Sequence, residues 1–271
     1  MPPALLAFDL DGTLLTTDKR LTSANREALL DMVRCGSRIA LASGRMRAAM
    51  QPYADMLGTD IAMLTMNGAA VYTSAFGTAE PIYRAELPAP YAQHLVDYSR
   101  DGAFILNYYL NGKLYARHAP HTRAWAELYV KQTGSVYHFR DTLDEFAGST
   151  PSKVIFVGTR EEIDRQEEHF RALWGEEVYI CRTWTHYLEF LHPAANKGSA
   201  IVALARALAI DPAHVAAFGD SENDIPMLRE VGNGIAVANA DRAVRDAARR
   251  VSVWSNDQDA IAREWEALKV A

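Results

Sequence analysis

Apolar runs that each end in a polar loop recur along the first part of the chain. They lie at 5–8, 38–42 and 60–66, and such runs are typical of buried strands in a parallel sheet. Segments 25–34 and 46–57, which separate these runs, carry apolar residues at helical spacing. The alternation of strand and helix predicts an α/β fold.

The C-terminal part of the chain repeats this alternation. Helical spacing extends over 197–209, and Asp211-Pro212 then has the pattern of a helix cap with proline at the first helical position. The elements predicted after this cap alternate between strand and helix and lie at 215–218, 223–231, 234–237, 241–249, 251–254 and 257–268.

The middle of the chain has a different pattern. Segments 104–109 and 113–116 are typical of antiparallel strands, and Asn111-Gly112 between them is typical of a hairpin turn. The next elements are a predicted strand, helix and strand at 153–157, 161–174 and 178–182. This order predicts an α+β segment inserted into an α/β frame.

Composition and charge narrow the class of protein. The chain has 271 residues, of which 49% are hydrophobic and 23% charged, which is typical of a globular protein with a sizeable core. A net charge of −6 does not favour nucleic acid or a membrane surface as a partner. No apolar run reaches the ~20 residues that span a bilayer, and the N-terminus lacks the basic region of a signal peptide. The two distant cysteines indicate no disulfide framework, so we expect a cytoplasmic location.

Acidic residues follow two of the predicted parallel strands. Asp9 and Asp11 follow the first strand, on a loop that contains Gly12, and Asp220 and Asp224 follow a strand near the C-terminus. Each segment alone is also compatible with a turn or a helix cap. In an open parallel sheet, however, ligands bind beyond the carboxyl ends of the strands. Carboxylates gathered there repel each other unless a cation neutralises them, and a donor set of oxygens alone favours Mg²⁺.

Candidate phosphate-binding residues lie at comparable positions. Ser43-Gly44 ends the second strand and opens a helix, where a hydroxyl and backbone N–H groups form an anion site. Lys197 opens the first helix after the middle segment, and Asn223 lies between the two C-terminal aspartates. Ordinary helix capping and a solvated lysine are the alternative interpretations of these residues when each is taken alone.

The combination resembles the four motifs of the haloacid dehalogenase-like (HAD) phosphohydrolases. The chain is similar to Cof-type members with a class IIB cap over essentially its whole length, including Asn67-Gly68-Ala69 and Asn196-Lys197-Gly198. The resemblance implies a Rossmann-like parallel-sheet core, residues 1–80 and 191–271. It also implies an inserted α+β cap domain, residues 81–190, that determines substrate specificity.

The resemblance also implies roles for individual residues. Asp9 is then the nucleophile, and Asp11 is the general acid and then the general base, with a pKa that rises when substrate and cap close over it. Mg²⁺ is then held by Asp9, the Asp11 backbone carbonyl and Asp220, with Asp224 behind them. The implied phosphate-binding residues are Leu10, Ser43, Gly44, Lys197 and Asn223. The candidates for contact with the rest of the substrate are Arg45, Asn67, His118, His121, Trp184 and His186.

These expectations define a Mg²⁺-dependent phosphatase that hydrolyses small phosphomonoesters through an aspartyl-phosphate. A phosphomutase or a dedicated sugar-phosphate phosphatase shares the same motifs. A receiver-like signalling module or a phosphate-binding regulatory protein is a more remote alternative, as is a histidine phosphatase, whose Arg-His-Gly signature the chain lacks near a strand end. The expected partner is a small-molecule substrate, and the expected state is a monomer or weak homodimer.

Overall fold

A computed structural model of the chain describes residues 2–77 and 80–269. The chain divides into two units, Met1–Arg84 with Asn196–Ala271, and Ala85–Ala195. These divisions lie a few residues beyond the boundaries expected from the sequence, after 80 and after 190. Residues 83–84 extend the sheet of the first unit, and Leu191 pairs with Tyr179 inside the second.

The helices and strands are as follows in chain order. The N-terminal part of the first unit contains β1 (Leu5–Asp9), α1 (Ser23–Arg34), β2 (Arg38–Ala42), α2 (Arg47–Leu57), β3 (Ala62–Thr65), β4 (Ala70–Tyr72) and β5 (Tyr83–Arg84). The second unit contains α3 (Ala89–Tyr98), β6 (Ile105–Leu110), β7 (Lys113–Arg117), α4 (Arg123–Thr133), β8 (Tyr137–Arg140), β9 (Lys153–Val157), α5 (Arg160–Trp174), β10 (Tyr179–Trp184) and β11 (Tyr187–Leu191). The C-terminal part of the first unit contains α6 (Lys197–Ala207), β12 (Val215–Gly219), α7 (Ile225–Glu230), β13 (Asn233–Ala236), α8 (Arg242–Ala247), β14 (Arg250–Val251) and α9 (Ala260–Leu268).

The sheet of the first unit has the strand order β14-β13-β12-β1-β2-β3-β4-β5. Strands β14 to β3 are parallel, whereas β3, β4 and β5 pair antiparallel. The sequence predicted the parallel strands but not the antiparallel edge. The chain reverses between β3 and β4 through the short turn Met66–Gly68, which is too short for the crossover that parallel strands need.

Helices cover both faces of this sheet. Leu6 and Phe8 of β1 point into a core shared with α1, α2 and α9, whereas Leu5 and Ala7 point into a core shared with α6, α7 and α8. Burial on both faces explains why these strands form continuous apolar runs in the sequence. It also places β1 in the middle of the sheet, with Asp9 as its last residue.

Several elements of the C-terminal part are shorter than the sequence predicted, including the helix predicted over 241–249, which is observed as Arg242–Ala247. The segment 223–231 begins with a short 3-10 turn, Glu222–Asp224, before α7. The segment 251–254 contributes only the end of β14. The helix predicted over 257–268 starts at residue 260, because Asp259 adopts a left-handed backbone conformation with φ of 55°.

The second unit is built on a sheet with the strand order β10-β11-β9-β6-β7-β8. The β6–β7 hairpin, β9, α5 and β10 follow the sequence prediction, whereas α3, α4, β8 and β11 were not predicted. Helices α3 and α5 pack on one face of the sheet, around Phe156, Phe170 and Leu188. Strands β7 and β8 pair in parallel because α4 provides the crossover between them. The fold class predicted from the sequence, an α/β core with an α+β insertion, is confirmed.

The other face of this sheet contains a buried ion pair. Lys153 Nζ lies 3.0 Å from Glu189 Oε2, and both side chains are almost fully buried. Thr183 Oγ1 donates a hydrogen bond to Glu189 Oε1 (2.8 Å), and the Lys153 ammonium lies 5.2 Å from the centre of the Tyr109 ring. The Tyr109 hydroxyl in turn contacts the Tyr129 hydroxyl of α4 at 2.6 Å.

None of the helices within 2–77 and 80–269 has the length and apolar character needed to cross a membrane.

We expect Lys153→Met to lower the free energy of unfolding by about 3–5 kcal/mol, because the variant leaves the Glu189 carboxylate buried without its ammonium partner. Urea denaturation of the single variant and of Lys153→Met/Glu189→Met measures the effect. The double variant should lose clearly less than the single one. A double variant as unstable as Lys153→Met would show that the loss comes from packing rather than from an uncompensated charge.

Candidate active site

The chemistry-bearing residues of the first unit meet at the carboxyl ends of its central strands. Asp9 ends β1, Ser43 follows β2, and Asp220 follows β12. The register pairs Phe8 with Phe218 and Asp9 with Ala42, so the three strands end at the same level of the sheet. Lys197 reaches this edge from the first turn of α6.

Lys197 is a fully buried charged group at this edge, as is Asp224. Its Nζ donates hydrogen bonds of 2.6 Å to Asp9 Oδ1 and to Asp224 Oδ1, and the side chain is 0% exposed. Burial would lower the pKa of Lys197, but the two carboxylates outweigh it and the pKa lies above its ordinary value. The side chain is therefore a fixed cation.

Three carboxylates surround this lysine. Asp9, Asp220 and Asp224 each offer an oxygen, and these oxygens lie within 4.8 Å of one another. Burial raises the pKa of Asp9 well above its ordinary value, and the neighbouring carboxylates add to that rise against the effect of Lys197. Burial and Asp224 likewise raise the pKa of Asp220 to about 6, although hydrogen bonds from Thr13 and Ser221 act against the rise.

The donor set fits a divalent metal ion. Three carboxylates and one ammonium sum to a charge of −2, which a divalent cation balances. All donors are oxygens, as hard cations prefer. Asp11, which the sequence placed among the ligands through its backbone carbonyl, contributes no side-chain oxygen to this group.

The two C-terminal carboxylates of this set have different surroundings. Both oxygens of Asp224 are engaged, Oδ1 by Lys197 and Oδ2 by the backbone N–H groups of Asp220 and Ser221. Asp220 accepts bonds from the hydroxyls of Thr13 (2.7 Å) and Ser221 (3.0 Å). Asp224 therefore orients the segment that carries Asp220, and Thr13 connects the β1 loop to the same carboxylate.

Two glycines allow these groups to approach each other. A Cβ on Gly12, which has a φ of +90°, would lie 2.5 Å from Asp220 Oδ2. A Cβ on Gly219 would lie 2.4 Å from the Cβ of Asp224. Real side chains do not tolerate contacts this short, so glycine at both positions is a condition for the acidic cluster.

The predicted phosphate-binding residues contact a strained turn. Asn223 Nδ2 donates to Asn67 Oδ1 (2.8 Å), and the Asn67 backbone N–H donates to the carbonyl of Ser43 (3.0 Å). Met66, Asn67 and Gly68 all have positive φ, between 50° and 96°, although only the last is a glycine. The turn holds Asn67 between Asn223 and the loop after β2. In that loop, a Cβ added to Gly44 would lie 3.1 Å from Asn67 Oδ1. Asn67 thus contacts two predicted phosphate ligands.

Asp11 is held by two basic side chains. Arg45 donates to both of its oxygens, Nε to Oδ2 at 2.8 Å and Nη2 to Oδ1 at 2.6 Å, and Lys19 Nζ donates to Oδ1 at 2.7 Å. Burial alone would raise the pKa of Asp11, but Arg45 and Lys19 outweigh burial and the pKa lies below its ordinary value. The rise in the Asp11 pKa that we expect when substrate and cap close over it stays a prediction. Lys19 could not be predicted from the sequence, because a lysine in a polar loop resembles any solvated charge.

The candidate substrate residues of the second unit have separate environments. The His118 ring packs edge-on against Phe139, and His121 Nε2 lies 3.3 Å from the Gly102 carbonyl. His186 Nδ1 lies 3.1 Å from the Gly158 carbonyl. Trp184, 41% exposed, stacks on Tyr187 at a centroid distance of 5.9 Å. Their assignment to substrate contact stays a prediction.

The sequence model of one family, described as haloacid dehalogenase-like hydrolase, matches residues 6–264. The chain belongs to the haloacid dehalogenase-like hydrolase family. The match covers both units and includes every residue of the acidic cluster. It confirms the Cof-type resemblance recognised from the motifs.

Individual relatives of this HAD protein agree with the assignment. An HMP-PP phosphatase from Serratia proteamaculans is 30% identical over 244 residues, which cover 87% of this chain and 84% of the relative. A solved haloacid dehalogenase-like hydrolase from Bacteroides thetaiotaomicron superposes with a TM-score of 0.86 at 23% identity, covering 98% of this chain and 99% of that one. A HAD subclass IIB sugar phosphatase superposes with a TM-score of 0.84 at 22% identity, covering 98% and 99%. The protein is a phosphatase, a hydrolase of phosphoric monoesters.

We expect Gly12→Ala to weaken the binding of a divalent metal ion, with Mg²⁺ as the probe, by about tenfold or more, because the new Cβ displaces the Asp220 carboxylate. Isothermal titration calorimetry measures the affinity. Gly36→Ala is the matched control, since its φ of +91° imposes the same backbone strain and a Cβ there meets nothing within 4 Å. Equal Mg²⁺ affinity in the two variants would contradict the close approach of Gly12 to the metal site.

Proposed function

We propose that the protein is a Mg²⁺-dependent phosphatase that cleaves small phosphomonoesters through an aspartyl-phosphate on Asp9. The observation that carries this proposal is the position of Lys197, whose ammonium joins Asp9 to Asp224 inside a set of three carboxylates. A carboxylate aligned by a buried ammonium can act as a nucleophile toward phosphorus. The same ammonium is a fixed cation for the oxygens of a bound phosphoryl group.

In the first step, a carboxylate oxygen of Asp9 attacks phosphorus in line with the leaving group. The new bond joins Asp9 to phosphorus, and the bond from phosphorus to the substrate oxygen breaks. Asp11 gives a proton to that oxygen, so that it leaves as an alcohol. The contacts of Asp11 with Arg45 and Lys19 oppose its protonation, so this step requires the carboxyl to part from at least one of them.

In the second step, water attacks the phosphorus of the aspartyl-phosphate. Asp11 accepts a proton from this water, and the bond between Asp9 and phosphorus breaks to release inorganic phosphate. Asp11 must be ionised to act as the base, which is the state that Arg45 and Lys19 favour. The cycle returns both carboxyl groups to their starting states.

Other residues bind and orient the phosphoryl group. We assign its oxygens to Ser43, Lys197, Asn223 and the backbone N–H groups of Leu10 and Gly44. Asp9, Asp220 and the Asp11 backbone carbonyl would hold Mg²⁺, with Asp224 orienting Asp220 from behind. When bound, the ion neutralises charge on the carboxylates and on the phosphoryl oxygens during transfer.

The relatives guide the choice of candidate substrates. One is named for HMP-PP and another for sugar phosphates, and both compound classes therefore belong in a first substrate panel. A phosphomutase or a dedicated sugar-phosphate phosphatase remains the alternative, because the same core residues serve either activity. A class IIB cap role for the predicted insertion 81–190, which overlaps the unit Ala85–Ala195, stays a prediction. A monomeric or weakly dimeric state and a cytoplasmic location also stay predictions.

We expect Asp9→Asn to abolish the release of phosphate from p-nitrophenyl phosphate and from a panel of sugar phosphates, because the amide is a poor nucleophile. Wild-type activity should require Mg²⁺ and disappear in EDTA. The assay is the colorimetric measurement of inorganic phosphate. Turnover by the wild type in EDTA, or full activity of Asp9→Asn, would contradict the proposed mechanism.

We expect Asp11→Asn to fold normally and to lose at least about 10²-fold in kcat, because an amide does not transfer the protons of either step. Steady-state kinetics measure the rate, and circular dichroism with thermal denaturation checks the fold. A kcat close to that of the wild type would remove Asp11 from the role of general acid and base.

A further inference from the structure

Three asparagine side chains hold the loop that follows β1. Asn239 Nδ2 donates to the carbonyl of Gly12 at 2.8 Å. Asn25 Nδ2 donates to the carbonyl of Leu14, and Asn256 Nδ2 to that of Leu15, both at 3.0 Å. We call Asn25, Asn239 and Asn256 the asparagine clamp. The clamp binds the backbone carbonyls of three of the four residues that follow Asp11 in the chain.

The clamp residues are themselves anchored to the C-terminal segment. The backbone N–H of Asn256 donates to Asn239 Oδ1 at 2.9 Å, and the backbone N–H of Ala262 in α9 donates to Asn25 Oδ1 at 3.1 Å. Asn25 is 0% exposed and Asn256 is 4% exposed. An asparagine amide donates from one atom and accepts at the other, so Asn25 and Asn239 each join the loop to a second segment. An aspartate carboxylate has no donor for the loop carbonyls.

Backbone contacts connect the residues that the clamp binds to Asp11. Leu15, which Asn256 holds, forms an isolated parallel bridge with Asp11, and its backbone N–H donates to the Leu10 carbonyl at 2.9 Å. Gly12, which Asn239 holds, is the next residue after Asp11 in the chain. A displacement of about 1 Å at a catalytic group is enough to cost roughly 10²-fold in rate.

We propose that Asn239 and Asn256 are positioning residues for proton transfer by Asp11. They fix the backbone on both sides of the loop turn while the Asp11 side chain exchanges Arg45 and Lys19 for the leaving oxygen. This inference rests on the proposed role of Asp11 as general acid. It gives the segment from Asn239 to α9, which contains none of the predicted catalytic residues, a part in the reaction.

The test compares two substrates of similar shape, phenyl phosphate and p-nitrophenyl phosphate. Phenoxide is the more basic leaving group and depends more on protonation by Asp11. With enzyme in excess over substrate, the release of phenol or p-nitrophenol in a single turnover measures the first step alone, because the hydrolysis of the aspartyl-phosphate is common to both substrates. We expect Asn256→Ala and Asn239→Ala to lower this rate on phenyl phosphate by about tenfold or more, and to lower it clearly less on p-nitrophenyl phosphate. The enzyme concentration that gives half of the maximal single-turnover rate should change by less than about twofold for both substrates, because the clamp contacts none of the predicted phosphate-binding side chains. Asn256→Asp, which keeps the size but not the donor, should show the same selectivity.

Two reference variants make the result decisive. Asp11→Asn defines the full leaving-group effect. Asp31→Ala removes the hydrogen bond from Trp265 Nε1 to Asp31 Oδ2 (2.8 Å), which joins α1 to α9 without touching the loop. This control variant should lower the melting temperature and affect the two substrates equally.

Several outcomes would overturn the inference. If Asp11→Asn is selective but the clamp variants slow both substrates equally, as Asp31→Ala does, the clamp supports only stability and the positioning role is wrong. If Asp11→Asn itself shows no selectivity, the proposed acid role fails, and the inference fails with it. Should Asn256→Ala not fold, the exposed Asn239→Ala decides between these outcomes by the same comparison.

Discussion

The charge balance around Lys197 is the constraint on which the acidic cluster of the first unit depends. Its ammonium is fully buried between Asp9 and Asp224, and Asp220 lies close by. Buried carboxylates at this distance are tolerable only with compensating positive charge, because desolvation and mutual repulsion both oppose their ionisation. One lysine supplies part of this charge, and a divalent cation held by the three carboxylates would supply the rest. An acidic protein can thereby bind an anionic substrate.

Near the acidic cluster, backbone segments approach carboxylate side chains closely, and several residues adopt irregular conformations. Gly12 and Gly219 let two loops approach Asp220 and Asp224, and the left-handed turn Met66–Gly68 brings Asn67 against Asn223. Strained conformations of this kind persist where the surrounding structure determines them strongly. The parallel strands end at a common edge of the sheet, and Asp9, Asp220 and Asp224 meet at that edge.

The sequence predicted the elements whose pattern is local. Strands such as β1 and β12 are buried on both faces and form unbroken apolar runs, so their ends located Asp9 and Asp220. Strand β8 could not be predicted, because its pairing depends on the distant β7 and its residues are largely polar or exposed. The binding of Asp11 by Lys19, and the contacts of Asn239 and Asn256 with the β1 loop, depend on segments that no short-range pattern connects. Contacts between residues more than two hundred positions apart become visible only in the folded chain.

The wide sequence separation of Asp9 and Lys197 also has a consequence for biosynthesis. The two residues are 188 positions apart, and the whole of the second unit is synthesised between them. At about 5–20 residues per second, a ribosome needs on the order of ten seconds or more to cover that distance. During this interval, the sheet face of β1 and β2 that α6, α7 and α8 later cover stays uncovered. Residues 85–195, by contrast, form a continuous unit that is complete before α6 is synthesised. The nascent chain therefore completes its insertion before Lys197 can join Asp9.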